Sequence, residues 1–286
     1  MRRLEIEIFN NLNNPKNPNH PNNPMKIGAL QKFSLLDYPE HLSAIIFTQG
    51  CNFRCQFCYN PMLVLPVWGG KSKYAALFRS KRQKGHPGIK EDDLFVFLQA
   101  RVGKLDAVVI TGGEPTIQPD LARFITKIKK LGYLIKLDTN GSNPEIIKKL
   151  IAKKLIDYIA MDIKASEEKY QRVVGKKVYP VKSGKAGAEQ FNGVDFNKIR
   201  KSVKIIKESN LPYEFRTTIV PGLIDQDDIA RIGELIKGAD KWYLQQFKSN
   251  MPLINKKLEK IKAYNSSELA AMQRIGLKYA KQCEVR

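Results

Sequence analysis

Three cysteines, Cys51, Cys55 and Cys58, lie within eight residues in the stretch TQGCNFRCQFCYNP. Thiolates at this spacing can hold three corners of a cubane iron–sulfur cluster. A closed zinc site needs four Cys or His ligands, and the chain offers only one further cysteine, Cys283, and three histidines that form no spaced pair. The spacing therefore favours a cluster with one iron open to a substrate or cosubstrate. A zinc site completed by His41 or Cys283, or three ordinary buried cysteines, are the alternatives.

The stretch TGGEP at 111–115 ends the apolar run DAVVIT, which predicts a strand. Gly112 and Gly113 carry no Cβ, so the backbone here can come close to a ligand. Glu114 can accept a hydrogen bond from an ammonium group. The stretch therefore predicts a ligand contact at the end of a strand, and a plain strand-to-helix turn is the alternative.

Charged residues also lie at the ends of three later apolar runs. Asp138 in LDTNG and Asp162 in MDIK occupy positions where an unpaired carboxylate would be costly. Each must meet a cation, a ligand hydroxyl or backbone donors, with a purely structural role as the alternative. Arg216 in EFRTTIVPG could contact a ligand, or it could form a salt bridge with Asp138 or Asp162.

Six runs rich in β-branched and apolar residues predict strands, each followed by turn residues and a segment of helical periodicity. They are LSAIIFT (42–48), DAVVIT (106–111), YLIKLDT (133–139), IDYIAMDI (156–163), YEFRTTIV (213–220) and KWYLQQF (241–247). After the second run, apolar residues recur every three or four positions at Leu121, Phe124, Ile125, Ile128 and Leu131. The pattern predicts an α/β fold, an incomplete (β/α)6 barrel of parallel strands, because six units are too few for a complete eight-stranded barrel. The candidate residues then share the carboxyl ends of the strands, where such barrels build their sites.

The composition indicates a chain of the reducing cytoplasm. Four cysteines in 286 residues are too few for a secreted disulfide scaffold, and no segment has the length of a signal peptide or a bilayer span. The formal net charge is +21, from 49 Lys+Arg against 28 Asp+Glu. Such a surface attracts nucleic acid, acidic proteins or anionic substrates. The lysines are widely spread and no RNA-binding signature accompanies them, so a nucleic-acid partner is allowed but not favoured.

Three segments break the strand–helix rhythm. Residues 1–24 include the low-complexity run NLNNPKNPNHPNNP, which predicts a disordered leader, with Met25 as a hypothetical true start. The remaining residues, 25–286, are predicted to form one domain. Within it, the stretches at about 67–87 and 174–195 are basic or rich in Gly, Lys and small residues, and they predict surface insertions and candidate contact faces.

Together, the cysteine spacing and the strand-end motifs resemble the radical S-adenosylmethionine (SAM) superfamily. FSLLDYPEHLSAIIFTQGCNFRCQFCYNP, LDAVVITGGEPTIQPDL, LIKLDTNGSNPEII, YEFRTTIVPG and YLQQF are similar to blocks of the anaerobic ribonucleoside-triphosphate reductase activating protein family. The similarity covers roughly residues 30–286 apart from the two insertions. Other activases carry a ferredoxin-like insert with further cysteines, which this chain lacks, so a single cluster is expected.

The resemblance implies a cofactor set and the residues that hold it. One 4Fe–4S cluster would lie on the three cysteines, with the amino and carboxylate groups of SAM on the open iron. SAM contacts are implied at Phe57, Tyr59, Gly112, Gly113, Glu114, Asp138, Thr139, Asp162, Lys164 and Arg216. Within this set, the aromatic Phe57 would pack near the adenine and TGGEP would hold the amino group. Arg216 would face the SAM carboxylate or ribose.

The family also implies a cation and a partner. Asp138, Thr139 and Asp162 could ligate a monovalent cation, with Lys164 near SAM. A flavodoxin or ferredoxin would reduce the cluster, and SAM would be cleaved to methionine and a 5′-deoxyadenosyl radical. That radical would take a hydrogen atom from a glycine of an anaerobic ribonucleotide reductase.

Two other functions are compatible with parts of the pattern. One is a radical SAM enzyme that modifies RNA or a small molecule and contacts its substrate through the basic insertions. The other is a non-catalytic, metal-stabilised nucleic-acid-binding protein, which predicts zinc, a colourless preparation and no cleavage of SAM. The first lacks an appended RNA-binding module, and the second lacks a full set of zinc ligands.

Overall fold

The computed structural model describes residues 25–64, 88–175 and 194–286. Their strands form one sheet in the order β1-β2-β3-β4-β5-β6-β7-β8. The strands are β1 Ile27–Ser34, β2 Ser43–Thr48, β3 Ala107–Gly112, β4 Leu134–Thr139, β5 Tyr158–Asp162, β6 Tyr213–Ile219, β7 Ala239–Gln246 and β8 Ala280–Val285. β1 is antiparallel to β2, and every later neighbouring pair is parallel. The sheet is therefore a parallel one with an antiparallel strand at one edge.

Helices connect the parallel strands in sequence order. They are α1 Pro61–Val64, α2 Glu91–Gln99, α3 Leu121–Lys129, α4 Pro144–Ala152, α5 Glu167–Val174, α6 Phe196–Lys207, α7 Gln226–Ile236 and α8 Ser266–Gly276, with short 3-10 turns at Pro115–Ile117 and Lys256–Lys260. In α3 the predicted apolar stripe of Leu121, Phe124, Ile125 and Ile128 is buried. These apolar stripes cover one face of the sheet and form the main core.

All six predicted strands are present, each with bounds within two residues of the prediction. The predicted α/β fold with parallel strands is confirmed, and β1 and β8 are added to it. Both are edge strands with one neighbour each. β1 exposes Gln31, Lys32 and Phe33, and β8 carries Lys281, Gln282 and Glu284 among its six residues. Edge strands need not be apolar on both faces, so they lack the strong signal of the central strands.

The face of the sheet turned away from the helices has a smaller apolar cluster, made of Tyr38, Ile45, Ala107, Val109 and Tyr158. Tyr38 belongs to the connection between β1 and β2, and its ring lies 5.7 Å from that of Tyr158. In the same connection, the backbone oxygen of Asp37 accepts a hydrogen bond from Lys136 Nζ at 2.6 Å. This connection packs on the amino-terminal part of that face and leaves the carboxyl ends of the strands for the candidate residues.

Several sequence predictions lie outside the described residues. These are the leader at 1–24, the insertion at about 67–87 and most of the insertion at 174–195. Met25, the hypothetical start, is buried with 4% of its surface exposed. Among the helices of the described ranges, none is long and apolar enough to cross a membrane.

Candidate functional site at the carboxyl ends of the strands

The three cysteines lie in the loop that leaves β2, and they are free thiols. Two neighbouring segments hold this loop in place. The backbone N–H groups of Arg54 and Gln56 donate to the carbonyls of Val174 and Val173 at the end of α5, at 2.8 and 3.0 Å. The carbonyl of Gln56 accepts from the N–H of Asn255 at 2.9 Å. The loop therefore has a defined conformation across the carboxyl end of the sheet.

The surroundings of the thiols keep them protonated when no metal is bound. Burial raises the pKa of Cys51 and of Cys55 to about 12 and that of Cys58 to about 11. Each neighbouring thiol adds repulsion between negative charges. A group that binds through thiolates must therefore displace protons and supply positive charge.

The alternative ligands for a zinc site are not near this loop. His41 precedes β2, whereas Cys51 follows its far end, and the six intervening strand residues span roughly 20 Å. Cys283 lies in β8 opposite Trp242 of β7, with its sulfur against Gly276 of α8. Among the described residues, no three Cys, His, Asp or Glu side chains converge to hold a single metal ion. The described residues therefore offer no arrangement for a mononuclear zinc site.

Gly112 and Gly113 bring the end of β3 against the cysteine loop. The N–H groups of Gly113 and Glu114 donate to the carbonyls of Thr48 and Gly50, both at 2.9 Å. A Cβ on Gly113 would lie 1.8 Å from the Gly50 oxygen, and one on Gly112 would lie 2.4 Å from the Thr48 nitrogen. The close approach that requires these glycines in the structure is therefore to the end of β2 and the start of the cysteine loop, and the contacts of Gly112 and Gly113 with SAM stay predictions.

The side chain of Glu114 joins the end of β3 to the end of β4 through hydrogen bonds. The residue is buried, with 1% of its surface exposed. Its Oε1 accepts from the Thr116 N–H at 3.0 Å and from the hydroxyls of Thr116 and Thr139. Its Oε2 accepts from the Asn140 N–H at 2.7 Å. Burial raises the pKa of Glu114, and these hydrogen bonds oppose that shift by favouring the carboxylate. The predicted role of Glu114 towards an ammonium group stays a prediction, beside a structural role that the sequence did not reveal.

Arg216 links the two aspartates whose partners the sequence left open. Its Nε donates to Asp162 Oδ1 at 2.8 Å, and its NH1 lies 3.2 Å from Asp138 Oδ2. Lys164 Nζ donates to Asp162 Oδ2 at 3.0 Å. Burial alone would raise the pKa of Asp162, but Arg216 and Lys164 together hold it well below its usual range. The salt-bridge interpretation of Arg216 is the one observed, and its ligand role stays a prediction, as does the monovalent cation.

A second ion pair lies beneath the first on the same face of the sheet, and neither Lys136 nor Glu214 is among the predicted site residues. Lys136 Nζ lies 3.6 Å from Glu214 Oε1 and 3.5 Å from Asp138 Oδ1. Glu214 Oε2 accepts from the Tyr158 hydroxyl at 2.9 Å. A signal was available, because Lys136 and Glu214 each precede a candidate residue by two positions, and residues two apart share a face.

The two aromatic residues of the cysteine loop differ in their contacts. Phe57 is buried with 3% exposure, and Lys164 Nζ lies 6.0 Å from its ring centre. The hydroxyl of Tyr59 accepts from the Lys248 N–H at 2.9 Å, and its ring stacks on Phe247 with centres 6.5 Å apart. Tyr59 therefore connects the cysteine loop to the segment after β7, and both residues stay predicted SAM contacts.

Two buried polar atoms near the site have no hydrogen-bond partner among the described residues. They are the hydroxyl of Tyr170 and Oδ1 of Asp138, and the latter still has Lys136 Nζ at 3.5 Å in an ion pair. Tyr170 lies in α5, its ring 6.1 Å from that of Phe53 in the cysteine loop. Burial raises its pKa, and the charges of Cys55 and Asp162 add to the shift. A bound polar group would give the Tyr170 hydroxyl a partner, since buried polar atoms are rarely unpaired.

Comparison with known proteins points to one superfamily. The sequence profile of the radical SAM superfamily matches residues 45–236. A Methanocaldococcus jannaschii protein, named provisionally as a glycyl-radical enzyme activating enzyme, is 33% identical over 261 residues, 91% of this chain and 95% of that protein. The pyruvate formate-lyase-activating enzyme of Listeria monocytogenes is 27% identical over 220 residues, 74% of this chain and 76% of the enzyme.

The fold is also similar to that of a solved structure. Streptococcus suis SuiB bound to S-adenosylmethionine superposes with a TM-score of 0.52 at 14% identity, covering 83% of this chain and 48% of SuiB. At this identity the similarity concerns the fold alone.

Radical SAM enzymes bind a 4Fe–4S cluster and SAM, and the residues present here fit that pair. Cys51, Cys55 and Cys58 supply three free thiols on one loop, the donor set that a cluster with one open iron requires. The Tyr170 hydroxyl, which has no hydrogen-bond partner among the described residues, adds a polar atom at the same end of the sheet.

Proposed function

Because this chain belongs to the radical SAM superfamily, we propose that it is an activase that generates a glycyl radical on an anaerobic ribonucleoside-triphosphate reductase. The observation that carries this proposal is the 33% identity, over nearly the whole chain, to a protein named as a glycyl-radical enzyme activating enzyme. The pyruvate formate-lyase-activating relatives act on a different glycyl-radical protein, so the reductase as target is the finer part of the proposal.

The cysteine inventory favours the simpler activases, which have no ferredoxin-like insert. Activases with a ferredoxin-like insert carry further cysteines, whereas Cys283 is the one cysteine outside the loop and it is buried between β8 and α8. A single cluster is expected, as in the simpler activases. We propose a flavodoxin or ferredoxin as the electron donor and the reducing cytosol as the compartment, in keeping with four free thiols.

The chain's own residues would position SAM and its target. The cluster, when bound, supplies the electron for the reductive cleavage of SAM. We assign the amino group of SAM to the TGGEP loop, and its carboxylate or ribose to Arg216, which Asp138 and Asp162 hold in a fixed orientation. Lys164 adds a second cation beside Asp162. Three cationic and three acidic groups balance on this face of the sheet, Lys136, Lys164 and Arg216 against Asp138, Asp162 and Glu214.

The test is a reconstitution under anaerobic conditions. Reconstituted protein would be mixed with SAM, a reductant and either the anaerobic ribonucleotide reductase or the pyruvate formate-lyase of the same source. Electron paramagnetic resonance would look for a glycyl radical doublet, and chromatography would measure 5′-deoxyadenosine. We expect a SAM-dependent doublet on the reductase.

The other outcomes separate the parts of the proposal. A doublet on pyruvate formate-lyase alone would retain the activase activity and refute the reductase as target. Formation of 5′-deoxyadenosine with no doublet on either protein would refute the activase and favour a radical SAM enzyme that modifies RNA or a small molecule. Salt-sensitive binding of tRNA would then support RNA as the substrate.

A further inference from the structure

Asn140, at the end of β4, reaches the sulfur of Cys51. Its side-chain Nδ2 lies 3.9 Å from Cys51 Sγ, within the reach of a hydrogen bond to sulfur. The same sulfur accepts from the backbone N–H of Phe53 at 3.3 Å. Cys51 therefore has a side-chain donor from another strand end in addition to a donor from its own loop.

The neighbours of Asn140 fix which end of its amide faces the sulfur. Its Oδ1 accepts from the Ser142 N–H at 2.9 Å, so the carbonyl end is committed to its own loop. The amide nitrogen, Nδ2, donates to Asn52 Oδ1 at 3.0 Å. An amide nitrogen carries two hydrogens, and the one not used by Asn52 is available to Cys51.

Two further hydrogen bonds fix the backbone of Asn140 and the position of Asn52, and so hold the Asn140 side chain in place. The backbone N–H of Asn140 donates to the buried carboxylate of Glu114 at 2.7 Å. Asn52, the residue after Cys51, donates through Nδ2 to the Ser142 hydroxyl at 2.8 Å. Asn140 is itself buried, with 6% exposure. The donor is therefore preorganised, and it connects the TGGEP loop to a cysteine sulfur.

We propose that Asn140 is a positioning residue that sets the reduction potential of the cluster through its hydrogen bond to Cys51. Reduction adds negative charge to a cluster and its sulfur ligands, and a hydrogen-bond donor at a ligand sulfur favours the more negative form. Burial strengthens such a bond by excluding water. The inference rests on the superfamily membership and is independent of which protein is activated.

The test is an electron paramagnetic resonance redox titration of the reconstituted protein. Asn140→Ala removes the donor, and we expect the equilibrium constant for reduction to fall about threefold to tenfold, a shift of roughly 30 to 59 mV to more negative potential. Asn140→Asp keeps the size and the acceptor for Ser142 but replaces the donor by a carboxylate. It should shift the potential further in the same direction.

Asn143→Ala is the matched control. This asparagine lies in the same loop and donates to the Thr116 hydroxyl at 3.1 Å instead of to sulfur. It should keep the wild-type potential. Wild-type potentials in both Asn140 variants, or an equal shift in the Asn143 variant, would refute the proposal. Iron content and thermal unfolding, measured on each variant, separate a lost cluster or an unfolded chain from a shifted potential.

Discussion

At the scale of single residues, the most direct test compares the three loop cysteines with Cys283, which lies outside the loop. Replacing any one of Cys51, Cys55 or Cys58 by Ala removes one of three thiolates from the cluster site. We expect these variants to lose the cluster, which iron analysis and visible absorbance after anaerobic reconstitution would detect. Cys283→Ala is the control, because Cys283 lies in β8 away from the loop. Full iron retention in all three loop variants would contradict the assignment of ligands.

Glu114 allows a second test at this scale, on the metal-free protein. In Glu114→Gln, one side-chain oxygen becomes an NH2 group, which in either orientation faces a backbone N–H, that of Thr116 or that of Asn140. An unsatisfied buried donor costs about 1–3 kcal/mol. We expect the free energy of unfolding to fall by about that amount in urea titrations.

Glu145→Gln is the control for this substitution. Glu145 lies on the exposed side of α4, where it pairs with Lys201. Its replacement should leave the unfolding curve unchanged. An unfolding free energy of wild-type size in the Glu114 variant would show that the hydrogen bonds of that carboxylate contribute nothing net.

At the scale of elements, the packing of the β3 end on the cysteine loop depends on Gly113. In Gly113→Ala the new methyl group would overlap the Gly50 oxygen, so the two loops must separate. Overpacking of this kind costs typically about 1–3 kcal/mol. We expect lower stability and also impaired incorporation of iron, because Gly50 directly precedes Cys51.

Gly132→Ala is the control that separates a loss of stability from a loss of iron incorporation. Gly132 has a φ of +91° and open space around it, so an alanine there is strained without any overlap. It should cost about 1–2 kcal/mol and leave iron incorporation intact. Normal iron content in the Gly113 variant would mean that the contact between the loops does not shape the cluster site.

At the scale of the whole molecule, the ion pairs of Arg216 join three strands on one face of the sheet. Arg216→Leu leaves Asp138 and Asp162 without their shared guanidinium. Removing one partner of a buried pair costs about 3–5 kcal/mol, and the lower end applies here because Arg216 is 14% exposed. We expect a loss of about 3 kcal/mol in urea titrations at pH 7.

The loss of unfolding free energy in Arg216→Leu should depend on pH, and its sign follows from the pKa of Asp162. The pKa of Asp162 is lowered in the folded protein, so the stability from its ion pair is fully present above the unfolded pKa of about 3.9 and is lost as the pH falls towards the folded pKa. The difference between wild type and Arg216→Leu should therefore shrink below about pH 4. Arg231→Leu, at an exposed pair with Glu168, should show a much smaller trend, because solvent screens that pair. A deficit that stays constant down to acidic pH would contradict this assignment.

The amino-acid sequence by itself determined the class of fold and indicated that the candidate residues lie at the carboxyl ends of the strands. Central parallel strands are buried on both faces, so their apolar runs are visible in sequence, and the cysteine spacing is local. Edge strands β1 and β8 lack that signal because half of each is exposed to solvent or polar. The domain bounds stay a prediction, as do the basic insertions, most of whose residues lie outside the described ranges.

Only the tertiary structure decided which partners the polar residues take. Asp138, Asp162 and Arg216 are far apart in sequence, and the parallel register brings them to one face, where Arg216 pairs with both aspartates. The contacts of Gly113 with Gly50 and of Asn140 with Cys51 also join different strand ends. Periodicity reports which face a residue occupies, but the neighbour across the sheet depends on the order and register of strands, which are set by the packing of the whole chain.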